Sequence, residues 1–371
     1  MNPLGAPVRI DAAGNLRAVY PAAQANAPHL LIGSHLDTVP NAGAYDGALG
    51  VVLAVALLEE LQGKQLPFAI EVIGFSEEEG VRFGTPFIGS RALVGSLNKD
   101  LLSTQDAQGI SVRNAIEAFG LNPEEIPQAQ FQNGALACLE FHIEQGPVLE
   151  SLNQPLAAVE AIAGQSRLEL TFFGRANHAG TTPMHLRHDA LAGAAEWIGT
   201  VERTAQAISG LVATVGTIEA KPGAANVIAS EARLTLDVRH ASDYLRTRAV
   251  QDLIRAAQGI ATHRGLSVRQ RTLLSQSTVA MDAFLTREIE HAMLKTGCKP
   301  HRMVSGAGHD AMILAEKFPS AMIFLRTPGG ISHHPTESVS VDDVEMAIAC
   351  GLHLLDQLSA SPEFHKRINR A

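Results

Sequence analysis

Gly33-Ser34-His35-Leu36-Asp37-Thr38 is followed, eleven residues after His35, by Asp46. An apolar run, residues 29–32, leads into this stretch, and such a pattern is typical of a buried strand that ends in a polar loop. Asp46 precedes a segment with helical periodicity, whose predicted apolar face comprises Val51, Val52, Val55, Leu58 and Leu61. His35 and Asp46 are therefore expected at the rim where open α/β sheets bind ligands.

His35 and Asp46 have the chemistry of metal ligands, because a neutral imidazole and a carboxylate together can hold a divalent cation. The Asp37 carboxylate is expected to accept a hydrogen bond from the second ring nitrogen of His35 and so to orient the ring. The alternative is a loop histidine that is hydrogen-bonded to a loop aspartate. This stretch alone favours neither interpretation.

Length and composition limit the class of protein. A chain of 371 residues is long for one hydrophobic core and predicts two domains. The sequence is 46% hydrophobic and 18% charged, which is typical of globular proteins. Its formal charge of −9 and the absence of a basic run predict that nucleic acid is not a partner.

Membrane segments and disulfides are not expected either. No apolar stretch approaches the ~20 residues that a membrane helix needs, and residues 1–31 lack the pattern of a secretory leader. The three cysteines, Cys138, Cys298 and Cys350, are odd in number and widely spaced, so they form no disulfide framework. These features predict a cytoplasmic location.

A second strand end carries consecutive carboxylates. The apolar segment 68–75 is followed by Ser76-Glu77-Glu78-Glu79-Gly80. Adjacent carboxylates repel one another, and either solvent or a bound cation offsets that repulsion. We favour a cation, because His35 and Asp46 are expected at the same rim.

A third group of candidate ligands lies in residues 139–147, which alternate like a strand. Glu140, His142 and Glu144 fall on one face of that strand. A lone histidine in a strand is usually structural, but acids on the same face can orient the imidazole for a metal. His142 is therefore a candidate ligand.

A fourth group, His333 and His334, follows a predicted strand at residues 320–325. The candidate ligands are then His35, Asp46, one glutamate of residues 77–79, His142, and His333 or His334. Five oxygen and nitrogen ligands suit two metal ions that share one carboxylate and keep positions open for water. Because no thiolate accompanies them, a closed structural zinc site is not expected.

The order of predicted elements changes after residue 164. The pattern then predicts the order βαββαβ, with strands at residues 165–174, 211–219, 227–238 and 266–272 and helices at 188–208 and 242–260. That order is typical of a compact two-layer α/β unit with an antiparallel sheet. We interpret residues 165–274 as a second domain, inserted into a first domain of residues 1–164 and 275–371.

The motifs resemble those of a group of dinuclear metal amidohydrolases: allantoate amidohydrolase, N-carbamoyl-L-amino-acid hydrolase and β-ureidopropionase, within the aminoacylase and exopeptidase superfamily. The similar segments run in order along nearly the whole chain: residues 33–39, 46–47, 78–83, 142–147, 176–184, 305–311 and 330–333. The resemblance implies an α/β fold with a mixed-sheet catalytic domain that holds two metal ions. It also implies that the inserted α+β domain is a two-layer lid and the dimerisation surface of a homodimer.

The resemblance also implies which residues hold the metals. Two divalent ions, zinc, manganese or cobalt, would share Asp46 and divide the other ligands: His35 and His142 on one ion, Glu79 and His333 on the other. Glu79 is preferred to Glu78 because the ligand glutamate of these enzymes stands directly before a glycine. Glu78 would then be the general base, and Asp37 would support His35.

Four further residues are implied to bind the substrate: Gln165, His178, Asn226 and Arg239. Arg239 would hold a carboxylate of the substrate, and His178 would stabilise the oxyanion. From the residues alone, Arg239 pairs with Asp237 or Glu231. If the predicted strand before Arg239 runs straight, it places Arg239 far from Asn226. The two residues can then meet one substrate only if the strand bends or if a second subunit supplies one of them.

These implications predict a hydrolase that cleaves the C–N bond of a ureido group on a small carboxylate substrate. Residues 75–83 look like those of the allantoate enzymes, so the predicted substrate is allantoate and the predicted role is in purine catabolism. N-carbamoyl-L-amino-acid hydrolase and β-ureidopropionase are the alternatives, followed by an aminoacylase or peptidase. A metal-dependent binding protein without activity is a different class, and the presence of Glu78 beside a full ligand set argues against it.

Overall fold

The computed structural model describes residues 1, 4–132 and 135–368 of the chain. Its strands are β1 (Val8–Ile10), β2 (Leu16–Tyr20), β3 (His29–His35), β4 (Ala69–Phe75), β5 (Ala135–Ile143), β6 (Leu156–Ile162), β7 (Gly164–Phe173), β8 (Val212–Lys221), β9 (Glu231–His240), β10 (Ser267–Gln276), β11 (Val279–Ala280), β12 (Arg302–Ser305) and β13 (Ser320–Leu325).

The α-helices are α1 (Ala48–Glu60), α2 (Ile88–Val94), α3 (Lys99–Ser103), α4 (Val112–Ala118), α5 (Ile126–Ala129), α6 (Val148–Ser151), α7 (Ala190–Ala207), α8 (Asp243–His263), α9 (Ala283–Lys295), α10 (Asp310–Leu314), α11 (Val341–Ala360) and α12 (Pro362–Ile368). Short 3-10 turns cover Pro123–Glu125, Met184–Leu186 and Pro328–Gly330. No helix in the described part of the chain is long and apolar enough to cross a membrane.

The chain divides into two compact units, residues 1–160 with 280–371 and residues 161–279. The expected domain boundaries lie within a few residues of these limits. In the first unit a large mixed sheet has the strand order β1-β2-β4-β3-β5-β13-β6-β11, with β12 beside β6.

Four parallel strands form the centre of the large sheet: β4, β3, β5 and β13. They are buried almost throughout, as parallel strands covered on both faces are. The register places Ile32 beside Val72 and Leu139, and Phe324 beside His142. The carboxyl ends of all four strands therefore meet at one edge of the sheet.

Helix α1 connects β3 to β4 and packs against the sheet through a wider face than predicted. Leu58 and Leu61 of the predicted face are buried in the main core, and Val51 and Val55 pack against it. Leu53 and Leu57 are buried in the main core, whereas Val52 is 62% exposed. The helix is apolar on nearly all sides, so its periodicity could not identify the face that packs. Helices α9 and α11 complete the same core through residues such as Ile289 and Leu354.

The second unit has the predicted order βαββαβ: β7, α7, β8, β9, α8 and β10. Its antiparallel sheet has the strand order β10-β7-β9-β8, and the two helices share a core with it that includes Trp197 and Leu253. Trp197 Nε1 donates to the Leu253 carbonyl at 2.9 Å, so the indole is buried without losing its hydrogen bond. Strand β9 begins at Glu231, four residues later than predicted, because the segment before it belongs to a loop.

Candidate metal centre

The candidate ligands follow the ends of the four parallel strands. His35 is the last residue of β3, His142 is the next to last of β5, Glu79 follows β4, and His333 follows β13. Asp46 lies two residues before α1. Since the carboxyl ends of parallel strands meet at one edge, the fold brings all five together although they span most of the chain.

His35, His142 and Asp46 form the first half of the cluster. The Nε2 atoms of the two histidines are 3.2 Å apart, and Asp46 Oδ1 lies 3.2 Å from His142 Nε2 and 3.8 Å from His35 Nε2. Each Nδ1 lies 2.8 Å from a backbone carbonyl, of Asp37 for His35 and of Ile143 for His142. Each Nδ1 is therefore the N–H, and both Nε2 atoms of the neutral rings present lone pairs.

This arrangement needs a positive charge among the three side chains, because lone pairs of two nitrogens and one carboxylate oxygen face one another. A proton on His142 is one source: burial lowers the pKa of His142, but Asp46 outweighs burial and raises it. A metal cation is the other source, and it satisfies all three atoms at once. Burial and the facing His142 lower the pKa of His35, which keeps that ring neutral and able to coordinate.

Asp46, Glu79 and His333 form the second half. His333 Nε2 lies 3.1 Å from Asp46 Oδ2 and 3.7 Å from Glu79 Oε1. Asp46 thus belongs to both halves, one carboxylate oxygen on each side. In each group of three, one candidate ligand atom per residue lies within 4.8 Å of the others.

Buried atoms without partners show that these residues fit a metal. Asp46 Oδ1 and Glu79 Oε1 are both buried, and neither forms a hydrogen bond to any described residue. A buried carboxylate oxygen without a donor is costly, and a cation removes that cost. Burial raises the pKa of Asp46, but the three facing imidazoles outweigh burial and lower it, so the carboxylate is ionised.

Gly47 explains why glycine follows Asp46. Its φ is +68°, a conformation that other residues rarely adopt, and a Cβ at this position would overlap the His35 ring. The dipeptide Asp46-Gly47 therefore lets helix α1 begin directly beside the imidazole.

Asp37 supports the cluster through different atoms from those expected. Its backbone carbonyl, not its carboxylate, accepts from His35 Nδ1, and the carboxylate lies 4.0 Å from that nitrogen. The carboxylate instead accepts the backbone N–H groups of Glu78 and Glu79, at 3.0 and 3.1 Å. The prediction of a carboxylate–imidazole bond is therefore wrong, because the acidic turn supplies two N–H donors that the carboxylate takes instead. Asp37 joins the His35 loop to the turn that carries Glu78 and Glu79.

Glu78 is buried beside the cluster, with 6% of its surface exposed. One of its oxygens is within 4.8 Å of ligand atoms of both His35 and Glu79. Burial raises the pKa of Glu78 well above its ordinary value, and the neighbouring carboxyl groups, Asp310 first, add to that effect. A carboxylate in such surroundings has the proton affinity that a general base needs.

Gln145 was not predicted as a site residue, although it lies in the motif of residues 142–147. Its Nε2 donates to Asp46 Oδ2 at 3.0 Å and lies 3.4 Å from His333 Nε2. Glu337 was also missed, and the sequence gives no local signal for it. Its carboxylate accepts the backbone N–H groups of Tyr45 and Asp46, each at 3.0 Å.

Gln165 and Arg239, in the second unit, lie opposite each other on β7 and β9. Both bind Asp237: Arg239 Nε donates to Oδ1 at 2.8 Å and Nη2 to Oδ2 at 3.2 Å, and Gln165 Nε2 donates to Oδ2. Burial raises the pKa of Asp237, but Arg239 and Arg167 outweigh it and lower that pKa. The ion pair that the residues alone indicate for Arg239 is thus present.

His178 and Asn226 lie together in loops at the other end of the same sheet. An isolated bridge joins His178 to Val227, and Ala179 N donates to the Asn226 carbonyl at 2.9 Å. The exposed His178 accepts backbone N–H groups of Gly180 and Thr181 at Nδ1, so the proton of its neutral ring is on Nε2. The ring is therefore a hydrogen-bond donor, as an oxyanion partner must be.

The sequence profile described as Peptidase family M20/M25/M40 matches residues 31–357. The chain belongs to this family. The M20 family assignment agrees with the resemblance found in the motifs.

Three relatives of this M20 family chain narrow the comparison. The N-carbamoyl-L-amino acid amidohydrolase of Geobacillus stearothermophilus is 37% identical over 352 residues, which is 94% of this chain and 86% of that protein. The allantoate deiminase of Arabidopsis thaliana is 37% identical over 394 residues, 97% of this chain and 74% of that protein. A crystal structure of an amidase of the hydantoinase/carbamoylase family from Burkholderia multivorans has a TM-score of 0.91 at 30% identity, covering 97% of this chain and 88% of that one.

These relatives confirm the predicted α/β fold with its large mixed sheet and separate antiparallel sheet. They also confirm the predicted enzyme class, a hydrolase of carbon–nitrogen bonds other than peptide bonds. Equal identity to a carbamoylase and an allantoate enzyme means that overall similarity does not choose between their substrates.

Proposed function

We propose that this M20 family chain is a metal-dependent amidohydrolase that cleaves a C–N bond in a ureido group of a small carboxylate substrate. The observation that carries the proposal is the convergence of three imidazole nitrogens on the two oxygens of Asp46. A buried Glu78 beside that convergence supplies the base that hydrolysis needs.

In this proposal the site would hold two divalent cations, zinc, manganese or cobalt. His35 and His142 would hold one, Glu79 and His333 would hold the other, and Asp46 would serve both. When bound, such ions supply Lewis acidity and make water a stronger acid near neutral pH. The nitrogen and oxygen donors suit all three metals, so the donor set does not select one.

Glu78 is the proposed proton carrier. It accepts a proton from the attacking water and gives it to the leaving nitrogen, so that the amine departs neutral. The buried position of Glu78 excludes bulk water from the carboxylate and favours that exchange. His178, as an N–H donor, stabilises the oxyanion of the tetrahedral intermediate.

Allantoate, a carboxylate that carries two ureido groups, is the proposed substrate, and purine catabolism is the proposed context. The allantoate enzymes among the relatives support this choice, together with the likeness of residues 75–83. An N-carbamoyl-L-amino acid is the second candidate, because a relative of that name is equally similar. In both cases Arg239, with Gln165 beside it and with Asn226 of the partner subunit, would bind the substrate carboxylate, and Arg239 would then share its guanidinium between the substrate and Asp237.

A homodimer through the second unit is part of the proposal, with that unit as lid. Asn226 precedes β9, while Arg239 lies near its end, and β9 runs unbroken from Glu231 to His240. Eight strand steps of ~3.3 Å separate Glu231 from Arg239, so the two ends are roughly 26 Å apart. One small substrate cannot span that distance. We therefore propose that His178 and Asn226 serve the site of a partner subunit.

A cytoplasmic location also belongs to the proposal. Cys138, Cys298 and Cys350 are free thiols and all are buried. Burial raises the pKa of the Cys138 thiol above its ordinary value, so it is protonated and unreactive at neutral pH. Buried free thiols of this kind are typical of proteins in reducing compartments.

A turnover panel tests the proposal: allantoate, two N-carbamoyl-L-amino acids, β-ureidopropionate and a dipeptide, each with zinc, manganese or cobalt. Ammonia release from a ureido substrate that stops on chelation and returns with metal is the expected result. Hydrolysis of the dipeptide alone would identify a peptidase instead. Binding of ureido compounds without turnover under every metal would identify a binding protein.

A further inference from the structure

Glu337 makes hydrogen bonds both to the loop that carries Asp46 and to the loop that carries His333. Its Oε1 accepts the backbone N–H groups of Tyr45 and Asp46, each at 3.0 Å. Its Oε2 accepts the Ser332 hydroxyl at 3.0 Å, and Ser332 directly precedes His333. One carboxylate thus joins the backbone of the bridging aspartate to the loop of a candidate ligand that lies far away in sequence.

The surroundings of Glu337 are shaped to hold this side chain. Only 5% of its surface is exposed. Gly43 packs against it so closely that a Cβ at that position would overlap both the Cβ and the Oε1 of Glu337. The backbone of Gly43 does not have a positive φ, so the need for glycine here comes from Glu337 and not from the turn.

Ser332 extends the contact to the Asp46 side chain. Its hydroxyl lies 3.5 Å from Asp46 Oδ2, and Gln145 Nε2 contacts both Ser332 and Asp46. Glu337 therefore binds the backbone of Asp46 directly. Through the Ser332 hydroxyl, it is also linked to the Asp46 carboxylate. It is absent from both groups of candidate ligands, so its contribution is to their placement.

We propose that Glu337 is a positioning residue, which holds the Asp46 and His333 loops at the spacing that two metal ions require. This inference rests on the proposed metal function. Without Glu337 the N–H groups of Tyr45 and Asp46 lose their acceptor, and the two loops lose their common anchor. Residues that support metal ligands in this way typically contribute about 10- to 100-fold to metal affinity.

Replacing Glu337 by glutamine removes the negative charge but keeps groups that can form the hydrogen bonds. In Glu337→Gln the amide oxygen can still accept both N–H groups, and the amide nitrogen can donate to the Ser332 hydroxyl. The proposal therefore expects Glu337→Gln to behave like the parent. Glu337→Ala removes all three bonds. Gly43→Ala leaves Glu337 in the chain but displaces its side chain, so it tests the same contacts without altering any polar group.

Two measurements on the full chain test the proposal. The first is hydrogen exchange of the peptide spanning residues 40–48 in metal-free protein, which reports the two N–H groups without any metal or substrate. The second is the Kd for zinc ions, by competition with a chelator. Glu345→Ala, which removes an exposed carboxylate from α11, is the matched control.

The expected result is faster exchange of residues 40–48 and a zinc Kd raised about 10- to 100-fold in Glu337→Ala and Gly43→Ala, with Glu337→Gln and Glu345→Ala like the parent. A Glu337→Ala protein with the parent's exchange and zinc Kd would overturn the proposal. So would a Glu337→Gln protein that is as impaired as Glu337→Ala, since charge and not placement would then matter. If Glu337→Ala does not fold, Gly43→Ala decides by the same criteria.

A parent that binds no zinc, manganese or cobalt would refute the metal function instead, and the exchange of the metal-free protein would still decide the placement role.

Discussion

Glu78 and Glu79 are neighbours in the chain but lie in different surroundings. Glu79 has an unpartnered buried oxygen near His333 and belongs to the group around Asp46. Glu78 is more deeply buried and is surrounded by other carboxyl groups that raise its pKa. The geometry therefore supports Glu79 as ligand and Glu78 as base, the assignment that the family resemblance implies.

Glu78→Gln should retain both metals and lose most turnover, by a factor on the order of 10² to 10⁴, because the amide cannot carry the proton. Glu79→Gln should lose metal as well as activity. Elemental analysis and steady-state rates on both variants check this pair of expectations. If Glu79→Gln keeps its metals while Glu78→Gln loses them, the two roles are exchanged.

Arg239→Lys should raise KM for allantoate and for N-carbamoyl-L-amino acids about 10- to 100-fold, because lysine keeps the charge but loses the planar fork that binds a carboxylate with two bonds. Metal content should stay unchanged. Arg167→Lys is the matched control, since Arg167 Nε also binds Asp237, at 2.8 Å. Parent KM values in both variants would show that Arg239 is only a partner of Asp237.

The candidate metal ligands could be selected from the sequence because each belongs to a local pattern, and the structure brings them close together. His35 and His142 end apolar strands, and parallel strands bring such ends together. The details that depend on contacts between distant segments could not be predicted. Glu337 lies 292 residues from Tyr45, whose N–H it accepts, and the choice of Asp37 between its carbonyl and its carboxylate depends on the N–H groups of another loop.

Strand pairing can be predicted where a turn signal separates two strands. Ala13-Gly14-Asn15 is such a signal, and β1 and β2 on either side of it pair as a hairpin, with Val8 opposite Ala18. Helix α1 is the opposite case: apolar residues surround it, so packing against the sheet, and not periodicity, selects Leu53 over Val52. Helix α10 is short and follows a glycine-rich loop, so no periodic signal predicts it.

An ion-pair network joins three neighbouring strands through Glu71 of β4. Arg17 Nε of β2 lies 2.7 Å from Glu71 Oε1, and His29 Nδ1 of β3 lies 2.8 Å from Oε2. Glu71 is 1% exposed. Burial raises the pKa of Glu71, but the bonds from His29 and Arg17 outweigh burial and lower it.

Glu71→Gln should lower the free energy of unfolding at pH 7 by about 3 kcal/mol, since it removes the charge that the buried Arg17 Nε contacts and leaves Arg17 only the more distant Asp11, at 3.7 Å. The pKa is lower in the folded state, so the contribution is complete above the unfolded value of about 4.3 and is lost as pH falls through the folded value. Urea unfolding of parent and variant between pH 7 and pH 3 should therefore show a difference in the free energy of unfolding that decreases as the pH falls.

Glu196→Gln, which breaks an exposed pair with Arg264, is the control and should lower the free energy of unfolding by less than about 1 kcal/mol at every pH. A constant difference for Glu71→Gln across this range would contradict the account.

Subunit exchange tests whether the second unit acts across a dimer. Glu78→Gln and His178→Ala are each expected to be nearly inactive. If His178 serves the partner's site, a mixed dimer has one site with both residues intact. Co-expression of equal amounts should then restore about one quarter of the parent activity, because half of the dimers are mixed and one of their two sites is complete.

The same mixture stays inactive if His178 acts within its own chain, because both sites of every dimer then carry one of the two substitutions. A protein that remains monomeric at the assay concentration would give the same inactive result and would refute the dimer. Two co-expressed tags, recovered together, distinguish these cases.

The number of metal ions per chain tests the central claim most directly, and native mass spectrometry of the intact protein measures it. The account predicts two ions per chain in the parent and nearly none in Asp46→Ala, because one carboxylate serves both ions. Asp356→Ala, which removes an exposed carboxylate paired with Lys64, should retain two. Two ions retained by Asp46→Ala, or no more than one in the metal-loaded parent, would contradict the shared site.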